Sequence, residues 1–435
     1  MPPAKLSAKA PDFEALFTGL IAARRAAGAD IAADVAAIIE DVRRRGDAAV
    51  IDYTERFDRL TLAPESLAIS ADERAHAHSA CDPKARDALE LAGRRITAFH
   101  RRQMPGDLSY KDETGLELGH RWRPIDRVGI YVPGGHASYP SSVLMNALPA
   151  RVAGVSDIVM CVPAPDGNIN PLVLAAADIA QINTIYRIGG AQAIAALAWG
   201  TAGVPAVDKI VGPGNAWVAE AKRQVFGRVG IDMVAGPSEI VIVADADARP
   251  DWLAADLLAQ AEHDTDAQAI LMSDDAALID AVTAALENQL ASLPRAAIAD
   301  QSWKDHGAVI LLRDLDEAVD LVNRLAPEHL ELAMADPERL ATRIRHAGAL
   351  FLGAHAPEAL GDYLAGPSHV LPTAGSARFS SGLSVFDFLK RTTVIRGTAE
   401  SLEALAPAAA RLARAEGLDG HARSLDIRLR LPDDA

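Results

Sequence analysis

From Arg127 onward the chain repeats one rhythm: a short apolar run, a turn marked by glycine or proline, then a stretch with apolar residues at helical spacing. VGIYVPGG (128–135) precedes SSVLMNALPARVAGV, and DIVMCVPAP (157–165) precedes NPLVLAAADIAQI. NTIYRIGG (183–190) precedes AQAIAALAWG, and DKIVGPGN (208–215) precedes AWVAEAKRQVFG. Short apolar strands alternating with helices across tight turns predict a doubly wound parallel sheet. After Gly236 the rhythm restarts. SEIVIVAD, DWLAADLLAQAEHD, QAILMSDD, AALIDAVTAALENQLASL, AVILLRD, LDEAVDLVNRLAPEH, LELAM and GALFLG supply a second α/β set from about 238 to 353. Residues 13–103 read as mostly helical, with Gly46 ending one helix and 85–103 forming another. The chain from about 380 reads as a helix-rich tail. Two such units are expected to hold a ligand at strand C-termini, in a cleft between them.

Composition narrows the function classes. The 435 residues carry 59 acidic and 43 basic side chains, a formal charge of −16, with no basic cluster. That balance argues against nucleic acid and anionic membrane as main partners. The two cysteines, Cys81 and Cys161, form no CxxC pair, so they read as buried free thiols of a reducing compartment. Val128 to Ala150 and Ile188 to Val207 carry no formal charge, but glycine, proline and polar residues interrupt both. They read as turns between buried elements. The N-terminus lacks the apolar core of a secretory signal, and the protein is expected to be cytoplasmic.

Four constellations carry chemistry. GPGNAW (212–217) begins like a dinucleotide fingerprint but has Trp217 in place of the third glycine, and IGGAQA (188–193) also misses the spacing. Both still expose backbone N–H groups at helix starts, which suits an anion. Gln260 and His263 stand three apart in LLAQAEHD, Asp362 lies in EALGDYLAGPSH, and His421 follows Gly420 just past a helix end. Together they offer oxygen and nitrogen ligands only, fit for zinc, manganese or cobalt, although spacing alone cannot assemble them. In APEHLEL, Glu328 and His329 are adjacent, so both face one site only if Pro327 makes the chain irregular there. Such a pair supplies two groups of different proton affinity. The polar, glycine- and serine-rich run 366–395 reads as a binding loop.

Taken in order, VGIYVPGGHASYPSSVLMNALPARVAGV, IGGAQAIAALAWGT, KIVGPGNAWVAEAKRQVFG, IDMVAGPSEIVIVAD, AQAEHD, LAPEHLEL, GDYLAGPSHVLPT, FSSGLSVFDFLKRT and AEGLDGHARSLDIR resemble the histidinol dehydrogenase family over nearly the whole chain. Ser142 and Trp217 are small departures. The resemblance implies a zinc-containing, NAD-dependent, four-electron oxidation of L-histidinol through the aldehyde to L-histidine, in the last steps of histidine biosynthesis. It also implies two Rossmann-like domains in an intertwined homodimer with shared active sites. By motif, it implies Gln260, His263, Asp362 and His421 as zinc ligands that also meet substrate. Glu328 and His329 are implied as acid–base residues, and His329 also as a substrate contact. Ser238, His369 and Glu416 are the other substrate contacts implied, and Tyr131, Gln192 and Asn215 the NAD contacts. The expected layout is a helical segment 1–30, a first α/β domain of 31–125 plus 238–380 with the metal and catalytic residues, a second of 126–237 on the NAD side, and a dimerisation arm 381–435. The −16 balance also fits a cationic amino-alcohol substrate. A paralogue acting on another amino alcohol or a sulfonated diol would keep the ligands and the Glu–His pair. A metal hydrolase would need no NAD, and a two-lobed binding protein would not depend on His329.

Overall fold

The computed structural model describes residues 3–23, 31–134 and 139–429. Residues 135–138 of the VPGGHASYP turn, and 24–30 of the expected N-terminal segment, lie outside the described residues. Packing divides the chain into two units, one of residues 1–103 and 126–388, the other of 104–125 and 389–435.

The first unit contains both predicted sheets, and every neighbouring strand pair in them is parallel. One runs Thr184–Tyr186, Asp157–Cys161, Arg127–Tyr131, Lys209–Val211, Gly230–Ile231. Numbered within its own segment, that order is 3-2-1-4-5. The other runs Ala308–Leu311, Gln268–Ser273, Glu239–Ala244, His329–Ala333, Ala349–Leu352, again 3-2-1-4-5. All six residues of Glu239–Ala244 and all six of Gln268–Ser273 are buried, because helices cover both faces. That is why these segments read as continuous apolar runs.

Three features differ from the expectation. The N-terminus is not purely helical: Ala4–Ser7 is a sixth strand, paired with Ala308–Leu311. Helix Phe13–Ala23 then buries Phe13 and Phe17 in the core of that sheet. The helices of 31–103, expected with 238–380, pack largely around the five-stranded sheet. Val35, Ile38, Ile39 and Val42 of Ala32–Arg45 share a core with Ile194 and Leu197 of helix Gly190–Trp199. Ion pairs Arg59–Asp166 and Arg187–Glu73 tie the same region down. Finally, the tail begins with a strand. In the second unit Leu389–Arg396 pairs antiparallel with Glu117–Pro124, which pairs with Leu108–Lys111. Helices Ala399–Ala415 and Asp419–Leu429 follow and meet through Ala410, Ala413 and Ala422. The strand LKRTTVIR is mostly exposed and carries little apolar signal.

Both cysteines are buried and free. No helix among the described residues is long and apolar enough to cross a membrane.

Phe17 is fully buried, with the Arg324 guanidinium 4.8 Å from its ring centre. Phe17→Ala is expected to cost about 3–5 kcal/mol in urea unfolding, because a cavity opens beneath an edge strand. A loss under about 1 kcal/mol would mean that the N-terminal helix does not share this core.

Candidate active site

In each sheet strands 1 and 4 are neighbours, at the place where the strand order reverses. The five-stranded sheet presents its glycine turns at the C-terminal strand ends, as expected. The six-stranded sheet presents its chemistry at the opposite edge. Glu239 and His329 are the first residues of their strands, with His329 opposite Ile240. This corrects the expectation of strand C-termini for this half. The cause is local: helix Ala318–Leu325 ends on Ala326 at φ +50°, and Pro327 turns the chain into the sheet. Glu328 precedes the regular strand, so it need not alternate in direction with His329.

The backbone of one residue, Glu239, organises the pair. The Glu239 N–H donates to Glu328 Oε2 at 2.9 Å, and the Glu239 carbonyl accepts from His329 Nδ1 at 2.9 Å. Glu328 Oε2 lies 3.7 Å from His329 Nδ1. A carbonyl cannot donate, so Nδ1 carries the proton and Nε2 keeps its lone pair. Nε2 is buried and has no partner. Burial pushes the ring's pKa down to about 4, so it is neutral at ordinary pH.

Three proposed metal ligands come from two elements near this pair. Gln260 sits in the last turn of helix Pro250–Ala261, and His263 just beyond it. Asp362 lies on helix Glu358–Tyr363, with a carboxylate oxygen 3.9 Å from His263 Nε2. Gln260 is 0% exposed, and neither its Oε1 nor its Nε2 has a partner. An unpaired buried amide is costly, and a cation taking its oxygen satisfies half of it. The donor chemistry therefore fits a divalent metal. The fourth ligand, His421, and the proposed substrate contact Glu416 lie on the other unit, both exposed. His421 stands in the first turn of helix Asp419–Leu429 rather than merely past a helix end.

His369 is held at both nitrogens. Its Nδ1 donates to the Asp362 carbonyl at 3.0 Å, and its Nε2 lies 3.1 Å from Ser142 Oγ. Ser142 opens the helix that follows the first strand of the other sheet, so this contact joins the two sheets at their working edges. Ser238 stands immediately before Glu239, partly exposed, its carbonyl taken by Gln268 N–H.

The glycine turns place the remaining three. Tyr131 ends its strand, and its hydroxyl accepts from Gly190 N–H at 3.1 Å. Gln192 is buried with Oε1 unpartnered. Asn215 Oδ1 caps helix Ala216–Val225 by accepting from Val218 N–H at 3.2 Å.

Sequence reading missed a layer of acids. Glu358 is 2% exposed, has neither carboxyl oxygen paired, and puts Oε1 3.5 Å from His329 Nδ1. Donor atoms of His329, Glu358 and Asp362 lie within 4.8 Å of one another. Asp256 and Glu331 hydrogen-bond to each other, and burial pushes both pKa values up. The only signal was spacing: Asp256 is four before Gln260, Glu331 two after His329, and Glu358 four before Asp362.

A neutral base with a free lone pair, a carboxylate beside it, clustered oxygen and nitrogen donors and anion-ready turns define an α/β oxidoreductase site. Comparison with known proteins makes the class specific. The family model described as histidinol dehydrogenase matches residues 22–429. A histidinol dehydrogenase of Ruegeria pomeroyi is 60% identical over 427 residues, covering 98% of this chain and 99% of its own. One of Rhodospirillum rubrum is 59% identical over 428 residues, with the same shares. The crystal structure of histidinol dehydrogenase from Elizabethkingia anophelis superposes with a TM-score of 0.93 at 36% identity, covering 98% of each chain. The chain belongs to the histidinol dehydrogenase family.

The depressed His329 pKa has a stability consequence. Below pH 6.5 the unfolded chain takes up a proton that the folded ring refuses until about pH 4, so stability falls as pH drops through that window. At pH 5 the ring's share is about 2 kcal/mol. Urea unfolding of metal-stripped protein at pH 7.5 and pH 5 is expected to show a loss smaller by about this amount in His329→Asn. Equal losses in the two proteins would place the ring's pKa near its ordinary value.

Proposed function

We propose that the protein oxidises L-histidinol to L-histidine in two NAD-dependent steps, with the aldehyde held between them. The observation that carries this reading is the His329 ring: neutral, buried, fixed through Nδ1, and open at Nε2 beside Glu328. In the first oxidation Nε2 takes the proton of the alcohol. Glu328 then removes a proton from the water that adds to the aldehyde. The resulting hydrate is again an alcohol, and Nε2, once free of its first proton, takes the second hydroxyl proton from the same position. Tyr131, Gln192 and Asn215 would hold NAD, which when bound would supply a two-electron hydride acceptor for each oxidation. Ser238, His369 and Glu416 complete the substrate contacts. Fixing His369 at both nitrogens also sets the Asp362 backbone beside it.

Gln260, His263, Asp362 and His421 would hold zinc. Zinc, when bound, offers a Lewis-acidic centre that orients the amine and imidazole nitrogens of the substrate. Three neutral ligands and one carboxylate leave such a site near +1, which suits neutral nitrogen donors.

We place His421 and Glu416 in the site of a second copy, through the arm 381–435. In the unit that carries them, Ile395, Leu412 and Ile427 are each more than 60% exposed. Apolar side chains exposed to that extent fit burial against another protomer. We place the enzyme in the cytoplasm, in keeping with its two buried free thiols.

The deciding assay counts NADH per histidinol consumed, before and after chelation. Two per substrate, lost on chelation and restored by zinc, is the expected result; one or none removes the proposal. His329→Asn is expected to lower kcat by about 10²–10⁴ while histidinol still binds. Glu328→Gln should mainly slow aldehyde oxidation, and equal loss of both steps would refute the division of roles.

The shared site has its own test. Mixing inactive His329→Asn and His421→Asn proteins under subunit exchange is expected to restore activity to about a quarter of wild type, since half the dimers are mixed and each has one intact site. No recovery despite demonstrated exchange would place both residues in one protomer's site.

A further inference from the structure

Beneath the Gly212–Asn215 turn lies an ion pair that none of the chemistry above uses. The Lys222 and Asp232 side chains are 2% and 1% exposed, and their charged ends are in contact. Val218, Ala221 and Val225 of the same helix are buried alongside. A pair this deep pays a large desolvation penalty, and apolar residues of similar volume often stabilise as well or better. Its hydrogen-bond partners show another role. Lys222 Nζ donates to the Gly212 carbonyl at 2.9 Å, and Asp232 Oδ2 accepts from the Gly212 N–H at 2.7 Å. Asp232 Oδ1 also accepts from Met233 N–H at 2.7 Å. The pair therefore grips one residue at both its backbone polar groups.

Gly212 is where a grip has most effect. Its φ is +113°, and a Cβ there would lie 2.0 Å from the Tyr131 carbonyl oxygen. It directly follows strand Lys209–Val211, at the reversal of strand order, and opens the turn into helix Ala216–Val225. The N–H groups of that turn and helix start are the backbone donors an anionic ligand meets. The Lys222 ammonium is committed below the turn, so it acts through the backbone and does not touch the ligand.

We propose that Lys222 and Asp232 are positioning residues for the dinucleotide, a buried clamp that sets the Gly212–Asn215 turn and the helix start behind it. The clamp rests on the reading of this turn as part of the NAD site. It places the affinity for NAD, but not for histidinol or metal, under the control of two residues that contact none of the three.

The test compares two double variants. Lys222→Met with Asp232→Leu keeps an unbranched and a γ-branched side chain in place and removes the grip. Lys222→Gln with Asp232→Asn removes charge and keeps hydrogen-bonding groups. The apolar pair is expected to raise KM and Kd for NAD about tenfold or more. Its kcat at saturating NAD, zinc content and histidinol Kd should stay within about threefold of wild type. The amide pair should return KM and Kd for NAD to within about threefold of wild type. NAD affinity unchanged in the apolar pair, or equally lost in both, overturns the clamp. Hydrogen exchange of the wild-type enzyme decides the matter even if the apolar pair does not fold. The Gly212 amide should be among the slowest in the turn without NAD, and free exchange there overturns the clamp. NAD should slow the Gly214 and Asn215 amides. No slowing overturns the NAD reading of this turn and the clamp with it; slowing together with unchanged variants overturns the clamp alone.

Discussion

The site depends on the backbone hydrogen bonds of one residue. Through its N–H and its carbonyl, Glu239 holds a carboxylate and an imidazole side by side. The carbonyl determines which ring nitrogen carries the proton, and burial determines that the ring stays neutral. Both follow from strands Glu239–Ala244 and His329–Ala333 being neighbours with His329 opposite Ile240. A shift of one residue in that register would turn His329 to the other face of the sheet. Base strength, tautomer and aim are thus set by a parallel pairing between segments about ninety residues apart.

The two sheets share the order 3-2-1-4-5 but work at opposite ends. At the C-terminal edge of the five-stranded sheet, strands hand over to helices, and backbone N–H groups gather where negative charge is favoured. At the N-terminal edge of the six-stranded sheet, loops enter the strands, and the Glu239 backbone holds two side chains. The contact from Ser142 to His369 joins these edges. The proposed function assigns an electron acceptor to one sheet and a proton acceptor to the other.

Electrostatics separates the halves further. Behind His329 stand Glu358, Glu331 and Asp256, whose carboxyls are all pushed upward in pKa by burial, those of Glu358 and Glu331 also by neighbouring carboxylates. Among the described residues, none forms an ion pair with a lysine or arginine. A site so rich in buried acid favours cations, in keeping with a divalent metal and an amine substrate. The turn on the other sheet is instead fixed by a closed ion pair that presents no net charge.

Much was legible locally. Apolar runs bounded by glycine and proline marked the strands of both sheets, because strands buried on both faces leave an uninterrupted signal. Helix Pro83–Arg101 and the break at Gly46 were legible from helical periodicity and the breaker residue. The roles expected of Gln260, Glu328, His329, Asp362 and His369 came from the resemblance of the motifs around them to the histidinol dehydrogenase family, since residue type and spacing alone did not assemble them. The strand Ala4–Ser7 and the sheet built on Leu389–Arg396 were not legible. Each is short or mostly exposed, and its partner lies far along the chain. For the same reason the helices of 31–103 could not be assigned to their sheet. The sequence by itself determined the α/β class, the positions of the turns and the chemical types available, since these are local properties of side chain and backbone. Only the tertiary structure decided that the Glu328–His329 pair stands at strand beginnings, that Glu358, Glu331 and Asp256 gather behind it, and that Lys222 and Asp232 meet at Gly212. Each of those depends on register and burial between distant segments, which local spacing does not encode.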